Sequence, residues 1–262
     1  MEKTTKTTII AIANQKGGVG KTTTAVNLAA GLLAAGKKVL CLDFDPQCHL
    51  SKYLGHKFDA LPTITDFIFN KVSYMDLPSP DGLIRHTPFG IDYIPCSLRL
   101  ARGEAVLAQA MFPERVLRDI LQTIIPEGYD YIIIDCNPSM GTLMTNALVA
   151  ADRVLIPVQT EDFAVDGLED MMDLIHMVKM NINPNLEILG LLPTLAANNG
   201  DSREVIEYLH HEFPSLAFDT HIGRYVAAPR SVKARKPLIG GKSIVAQQYM
   251  AATMELLERL EG

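Results

Sequence analysis

Residues 17–22 of this chain read Gly-Gly-Val-Gly-Lys-Thr, and they stand between a short apolar run, Thr7–Ala13, and a helical pattern, Thr22–Ala35. No other feature constrains the fold as much. A buried strand that ends in a glycine-rich turn and continues into a helix aims successive backbone N–H groups at one point, where they attract anions. Gly17, Gly18 and Gly20 permit the positive-φ geometry of such a turn, and Val19 adds its amide to the cradle. Lys21 is spaced to reach the outer phosphates of a nucleotide. Thr22 can offer a hydroxyl to Mg2+, and Thr23 can meet the innermost phosphate.

Strand and helix patterns alternate along the rest of the chain. Lys38–Asp43, Tyr131–Asp135, Arg153–Val158, Glu187–Leu192 and Leu216–Ile222 read as buried strands, because their apolar residues run almost without interruption. Helices are predicted over Thr22–Ala35, stopped by Gly36, and over Pro113–Ile125, Asp166–Met180, Ser202–Phe213 and Ser243–Leu260. The alternation predicts an α/β fold: a mostly parallel twisted sheet with helices on both faces, in a single domain over residues 1–262. Gly55–Gly103, broken by Pro62, Pro78, Pro80, Pro88 and Pro95, reads as an elaboration on that sheet.

Composition removes several alternatives. With 48% apolar residues and a formal charge of −6, the chain is neither disordered nor collagen-like. Its longest nearly apolar stretch, Ala25–Ala35, is too short to span a bilayer, and no secretory signal pattern leads the sequence. A cytoplasmic protein is expected. Cys41, Cys48, Cys96 and Cys136 lie apart without a C-x-x-C pair, so buried thiols are expected in place of a zinc or iron–sulfur site.

Acidic residues fall at the ends of two further predicted strands. Asp43 and Asp45 close the run that begins at Leu40, and Asp135 closes Tyr131–Asp135. Open α/β sheets bind ligands at these carboxyl ends. The loop itself departs from the general pattern G-x-x-x-x-G-K-[ST], since Gln15 stands where the first glycine belongs and a second lysine, Lys16, follows. Lys16–Thr22 matches K-G-G-x-G-K-[ST] instead, and in this the chain resembles the ParA/Soj-type deviant Walker A ATPases, P-loop NTPases of the ParA/MinD superfamily, over nearly its whole length.

The resemblance implies ATP and Mg2+ as ligands and a homodimer that sandwiches ATP, with Lys16 reaching the partner's phosphates. It implies that Lys16, Lys21 and Asp45 carry catalysis, Asp45 positioning the attacking water. Asp135 would hold Mg2+ through a water beside Thr22, and Asp43 would support the same ion. Asn137 departs from the family's proline here. Pro157–Glu161 with Ala164–Gly167 looks like the segment near the family's dimer interface. Ile222–Tyr225 lies at the adenine loop, often I-P-R-N; Gly223 and Tyr225 are departures, and Tyr225 either stacks on the base or packs as a surface aromatic.

The remaining question is what such a dimer grips. The chain ends in Met254–Gly262 with three Glu and one Arg, a poor match for anionic lipid, so no membrane partner is expected. Fifteen residues precede Lys16, too few for an operator-reading helix-turn-helix domain. Arg224–Lys236 holds five basic residues and no acidic one, a local anion-binding surface on an acidic protein. Arginines common in the family fall on Asn198 and Ala227, leaving Arg203, Arg230, Lys233 and Arg235 as candidate contacts to duplex DNA. The resemblance thus implies an ATPase that binds DNA nonspecifically, associates with the nucleoid, and segregates or positions DNA with a ParB-like partner. The other reading is a nucleotide switch that positions a protein cargo.

Overall fold

Apolar runs with no polar interruption become strands buried on both faces. The computed structural model describes residues 7–58, 60–161 and 166–261. Ala164 and Val165, within the segment compared with the family's dimer interface, lie outside them. In chain order the elements are β1 (Thr8–Ile12), α1 (Lys21–Ala34), β2 (Val39–Phe44), α2 (His49–Tyr53), α3 (Ile64–Val72), β3 (Arg85–His86), β4 (Asp92–Ile94), α4 (Gly103–Leu107), α5 (Val116–Ile124), β5 (Tyr131–Cys136), α6 (Thr142–Ala150), β6 (Arg153–Gln159), α7 (Asp166–Asn181), β7 (Glu187–Thr194), α8 (Gly200–Glu212), α9 (Ala227–Ala234) and α10 (Ile244–Glu261).

The strands form one seven-stranded sheet in the order β3-β4-β2-β5-β1-β6-β7. Every pairing is parallel except β3 with β4. Alternate residues of each strand enter opposite cores. Ile10, Ile12, Cys41 and Ile133 pack with Val26 and Leu28 of α1, Leu50 and Tyr53 of α2, and Tyr249 and Leu256 of α10. Ala11, Leu40, Leu42, Ile132 and Ile134 pack on the other face with Phe67, Leu117, Leu148 and Met171. This is the mostly parallel α/β architecture expected from the sequence.

One predicted strand is absent. Leu216–Ile222 runs beside β7 without forming a continuous ladder: Leu191 bridges Ala217, the Ile222 amide donates to the Pro193 carbonyl at 2.8 Å, and just beyond both Ala196 bridges Gly223. The cause lies in α10. Arg259 donates to the carbonyls of Ser215, Leu216 and Ala217, and the Glu255 carboxylate accepts the amides of Asp219 and Thr220, both at 2.9 Å. The Asp219 and Thr220 amides are thereby turned to α10, while the Leu216 carbonyl also accepts the Leu191 amide of β7 at 2.8 Å. The segment still lies close, because Gly190 has no Cβ to collide with the Phe218 ring and the Leu216 carbonyl.

Other boundaries shift for local reasons. Pro113–Arg115 form a 3-10 turn ahead of α5, so the helix predicted from Pro113 starts at Val116. Within Gly55–Gly103 the structure holds α3, β3 and β4, which extend the sheet at its β2 edge. α6 has no strong sequence signal, but the Glu104 carboxylate accepts the amides of Thr142 (2.6 Å) and Leu143 (3.2 Å) and so caps its N-terminus.

Helices α1 and α10 meet at Gly31, where an added Cβ would lie 2.1 Å from Thr253 Oγ1. Thr253 is fully buried and its hydroxyl is committed to the Tyr249 carbonyl at 2.7 Å. Gly31→Ala should therefore cost about 1–3 kcal/mol through overpacking, despite the better helix propensity of alanine. Denaturant unfolding of the ligand-free protein checks this; an unchanged midpoint would show that the two helices can part without cost.

Candidate phosphate-binding site

Three neighbouring strands, β2, β5 and β1, bring the motifs together. Their register sets Ile12 beside Asp135 and Asp135 beside Asp43, so the glycine loop leaving β1 opens over two acidic strand ends. Gly18 and Gly20 have φ of 80° and 92°, and added Cβ atoms there would meet nothing within 4 Å. The glycines are thus required by backbone conformation, and the space above the loop is open to a ligand. Two residues that the sequence reading missed brace the loop. The Asn14 side chain donates to the Pro157 carbonyl and accepts the Lys16 amide, each at 2.8 Å, and Thr194 Oγ1 donates to the Val19 carbonyl at 2.8 Å. An asparagine where a buried strand becomes a loop was the available signal for the first; Thr194 reaches Val19 only through the fold.

Lys21 folds back over the loop. Its Nζ donates to the carbonyls of Asn14 (2.9 Å) and Lys16 (3.0 Å), and the side chain is buried. Burial lowers its pKa, against the opposing pull of Asp135, Cys136 and Asp45. Thr22 Oγ1 donates to Asp135 Oδ2 at 2.7 Å, while half-buried Thr23 follows in α1. Lys16 is half-buried and has no side-chain partner among the described residues.

The carboxylates differ in how they are satisfied. Asp43 is fully buried and accepts the Ser51 amide at 2.7 Å, the Ser51 hydroxyl at 2.5 Å and the Asp45 amide at 3.3 Å. Burial pushes its pKa up to about 6 in spite of these bonds. Asp45 accepts the Gln47 amide at 2.8 Å. Asp135 is raised well above the carboxylate range by burial and by the charge of Asp43, with Thr22 and Lys21 only partly offsetting the effect. Its Oδ1 is buried without a hydrogen-bond partner, as is Asn137 Oδ1 two residues on.

An orphaned carboxylate oxygen beside a threonine hydroxyl suits a divalent cation. Among the described residues no group of three or more His, Cys, Asp or Glu could hold a metal by itself. That donor set fits Mg2+, which keeps several waters and shares its remaining positions between a few protein oxygens and phosphate.

The other candidate residues lie outside this cluster. In the Ile222–Tyr225 loop, an added Cβ on Gly223 would fall 2.5 Å from the Tyr225 ring, and the Gly223 amide donates to Gln248 Oε1 at 3.0 Å. The two departures belong together: the glycine makes room for the tyrosine, whose ring stays partly exposed. Arg230 and Lys233 lie one turn apart on α9, where the sequence shows only a basic segment, and Arg235 ends it at φ 53°. Arg203 is exposed on α8, a different element. None of these four cations is ion-paired among the described residues, whereas Arg224 pairs with Glu161 at 2.7 Å.

Comparison with known proteins agrees with this geometry. Residues 7–188 match the AAA domain family. The chain is 39% identical over 255 residues to the chromosome partitioning protein ParA of Myxococcus xanthus, covering 96% of this chain and 88% of that protein. It is 39% identical over 233 residues to the sporulation initiation inhibitor protein Soj of Bacillus subtilis, covering 88% and 90%. A solved structure of cobyrinic acid a,c-diamide synthase from Mycobacterium smegmatis, with bound ADP and magnesium, superposes with a TM-score of 0.82 at 32% identity, covering 98% of this chain and 96% of that one.

The raised carboxyl of Asp135 makes its charge a cost to the folded state, absent where both states are protonated and growing as pH rises above the ordinary carboxylate range. Asp135→Asn keeps an oxygen for Thr22 and removes the charge. It should stabilise the ligand-free protein by at least about 1 kcal/mol at about pH 8 and by less at about pH 4. Urea unfolding at both values tests this; a variant less stable at the higher pH would mean that the charge is already compensated.

Proposed function

This chain belongs to the ParA-type family of partition ATPases, and from that premise we propose that it is an Mg2+-dependent ATPase that dimerises around ATP and binds duplex DNA without sequence preference. Hydrolysis, stimulated by a ParB-like partner, releases the DNA and resets the cycle, so that DNA is segregated or positioned along the nucleoid in the cytoplasm. Residues 1–262 act as one ATPase domain. The observation that carries the reading is the Thr22–Asp135 hydrogen bond beneath an open glycine loop, with one oxygen of Asp135 unpartnered.

The chemistry follows from those positions. The amides of Gly17, Gly18, Val19 and Gly20 face the phosphates, and Lys21 exchanges its two carbonyl partners for phosphate oxygens as they arrive. Thr23 meets the α-phosphate, and Gly223 and Tyr225 border the adenine. Thr22 and Asp135 would hold Mg2+, with Asp43 as a supporting residue, and the ion would supply positive charge against the phosphates. Asp45 orients the water that attacks the γ-phosphorus, the bond to the ADP oxygen breaking as the new one forms. Lys16, without a side-chain partner among the described residues of its own subunit, reaches the phosphates of the second subunit and makes turnover depend on pairing.

DNA binding is assigned to Arg230, Lys233 and Arg235 at α9, with Arg203 from α8. Their support is exposure, freedom from ion pairs among the described residues and the absence of any acid in Arg224–Lys236. Neutralising phosphates releases counterions, so affinity should fall steeply with salt. Arg230→Ala with Lys233→Ala should abolish or severely weaken ATP-dependent binding of random-sequence duplex and reduce the salt slope by about 1 for each DNA phosphate that is no longer neutralised. Unchanged affinity and slope in a salt titration would move the function to the other reading, a switch for a protein cargo.

A further inference from the structure

The segment that carries Asp43 and Asp45 is tied to the basic helix by a route the ATPase chemistry does not use. Asp43 holds both the amide and the hydroxyl of Ser51, and so fixes α2 to the end of β2. Two residues further on, Tyr53 is fully buried, and its hydroxyl lies 2.6 Å from Ser231 Oγ in α9. Ser231 already donates to the Ala228 carbonyl at 2.8 Å. Tyr53 must therefore be the donor in the pair, which fixes the direction of the bond.

Other contacts converge on the same point. Asn27 of α1 accepts the Leu238 amide at 2.6 Å, just beyond α9, and donates to the Thr23 carbonyl at 2.8 Å. Gly55, in the turn that ends α2, sits beneath Arg235, whose Cδ would lie 3.7 Å from an added Cβ. The helix that follows the acidic loop thus reaches Asp43 through Ser51, its middle residue, and Ser231 through Tyr53, its last. α2 is a single helix of five residues, so Ser51 and Tyr53 lie within two positions of each other on one element. A buried hydroxyl that loses its partner gains no water in exchange, so a displacement of α2 is passed to α9 in preference to breaking the bond.

We propose that the Tyr53–Ser231 hydrogen bond couples occupancy of the phosphate site to the placement of α9, making Tyr53 a positioning residue for the anion-binding surface. The inference rests on the reading of the loop as a nucleotide site, and on the DNA reading only for the identity of the anion. A ligand arriving beside Asp43 and Asp45 changes the charge next to the carboxylate that holds Ser51. The response travels through Ser51 and Tyr53 to the turn of α9 that bears Arg230 and Lys233. Linkage makes the effect reciprocal: an anion held on α9 must tighten nucleotide by the factor with which nucleotide tightens the anion.

The test is amide hydrogen exchange of the full chain with and without Mg2+ and a non-hydrolysable ATP analogue, in wild type, Tyr53→Phe and Ser231→Ala. Phenylalanine keeps the buried ring and removes only the hydroxyl. In wild type the analogue should protect residues 17–23 and change exchange across residues 227–236 by about fivefold or more. Either variant should keep the first response and lose the second, a separation that a merely structural role would not produce. A wild-type response at 227–236 that persists in both variants overturns the proposal, as does a wild type protected at 17–23 alone. Random-sequence duplex titrated into the same samples separates the two readings. Wild type that ignores DNA while its exchange responds rejects DNA as the anion and supports the coupling.

Discussion

Burying acidic side chains at the ends of neighbouring parallel strands is the constraint on which the rest of this structure depends. Asp43 and Asp135 face each other across β2 and β5, with Asp45 two residues away, all in a sheet whose surroundings are otherwise apolar. Charge placed there is costly unless matched. The protein matches it in part: Thr22 serves one oxygen of Asp135, Ser51 serves Asp43, and Lys21 adds a nearby positive charge. What remains is an electrostatic deficit aimed at the open glycine loop. A cation arriving with phosphate would offset it, so the buried charge that costs the fold also favours binding.

That arrangement also explains why the binding loop can report its state elsewhere. The partial solutions to the buried charge come from two helices: Thr22 of α1 and Ser51 of α2 donate hydrogen bonds, and Lys21 at the start of α1 adds charge while its Nζ donates to carbonyls of the loop. A change in charge at the strand ends is therefore felt by both helices on one face of the sheet. The same face carries α10 and borders α9, where the unpaired cations lie. The opposite face, with α3 to α7, meets the loop through Gln15, whose amide donates to the Gly167 carbonyl and to Asp170 of α7.

Much of this was legible in the sequence, for reasons of locality. The glycine loop is read from adjacent residues, since positive φ at Gly18 and Gly20 is a local requirement. Strands buried on both faces announce themselves by unbroken apolar runs. Leu216–Ile222 has such a run but pairs with β7 only in part, and the amides of Asp219 and Thr220 go to Glu255, far along the chain. β3 and β4, of two and three residues, are too short to produce a pattern. Tyr53 looks like ordinary core in the sequence, as its hydroxyl finds a partner 178 positions away. Gly223 and Tyr225 are visible there as separate departures, but only the fold shows that one permits the other.

The central claim is that two copies close around ATP, with Lys16 completing the partner's site. Sedimentation velocity of Asp45→Ala, and of the same variant carrying Lys16→Ala, in Mg2+-ATP tests it most directly. Asp45→Ala should sediment as a dimer that ADP does not support, and the added Lys16→Ala should return it to monomer. A monomer in both cases, or a dimer indifferent to Lys16, would contradict the claim.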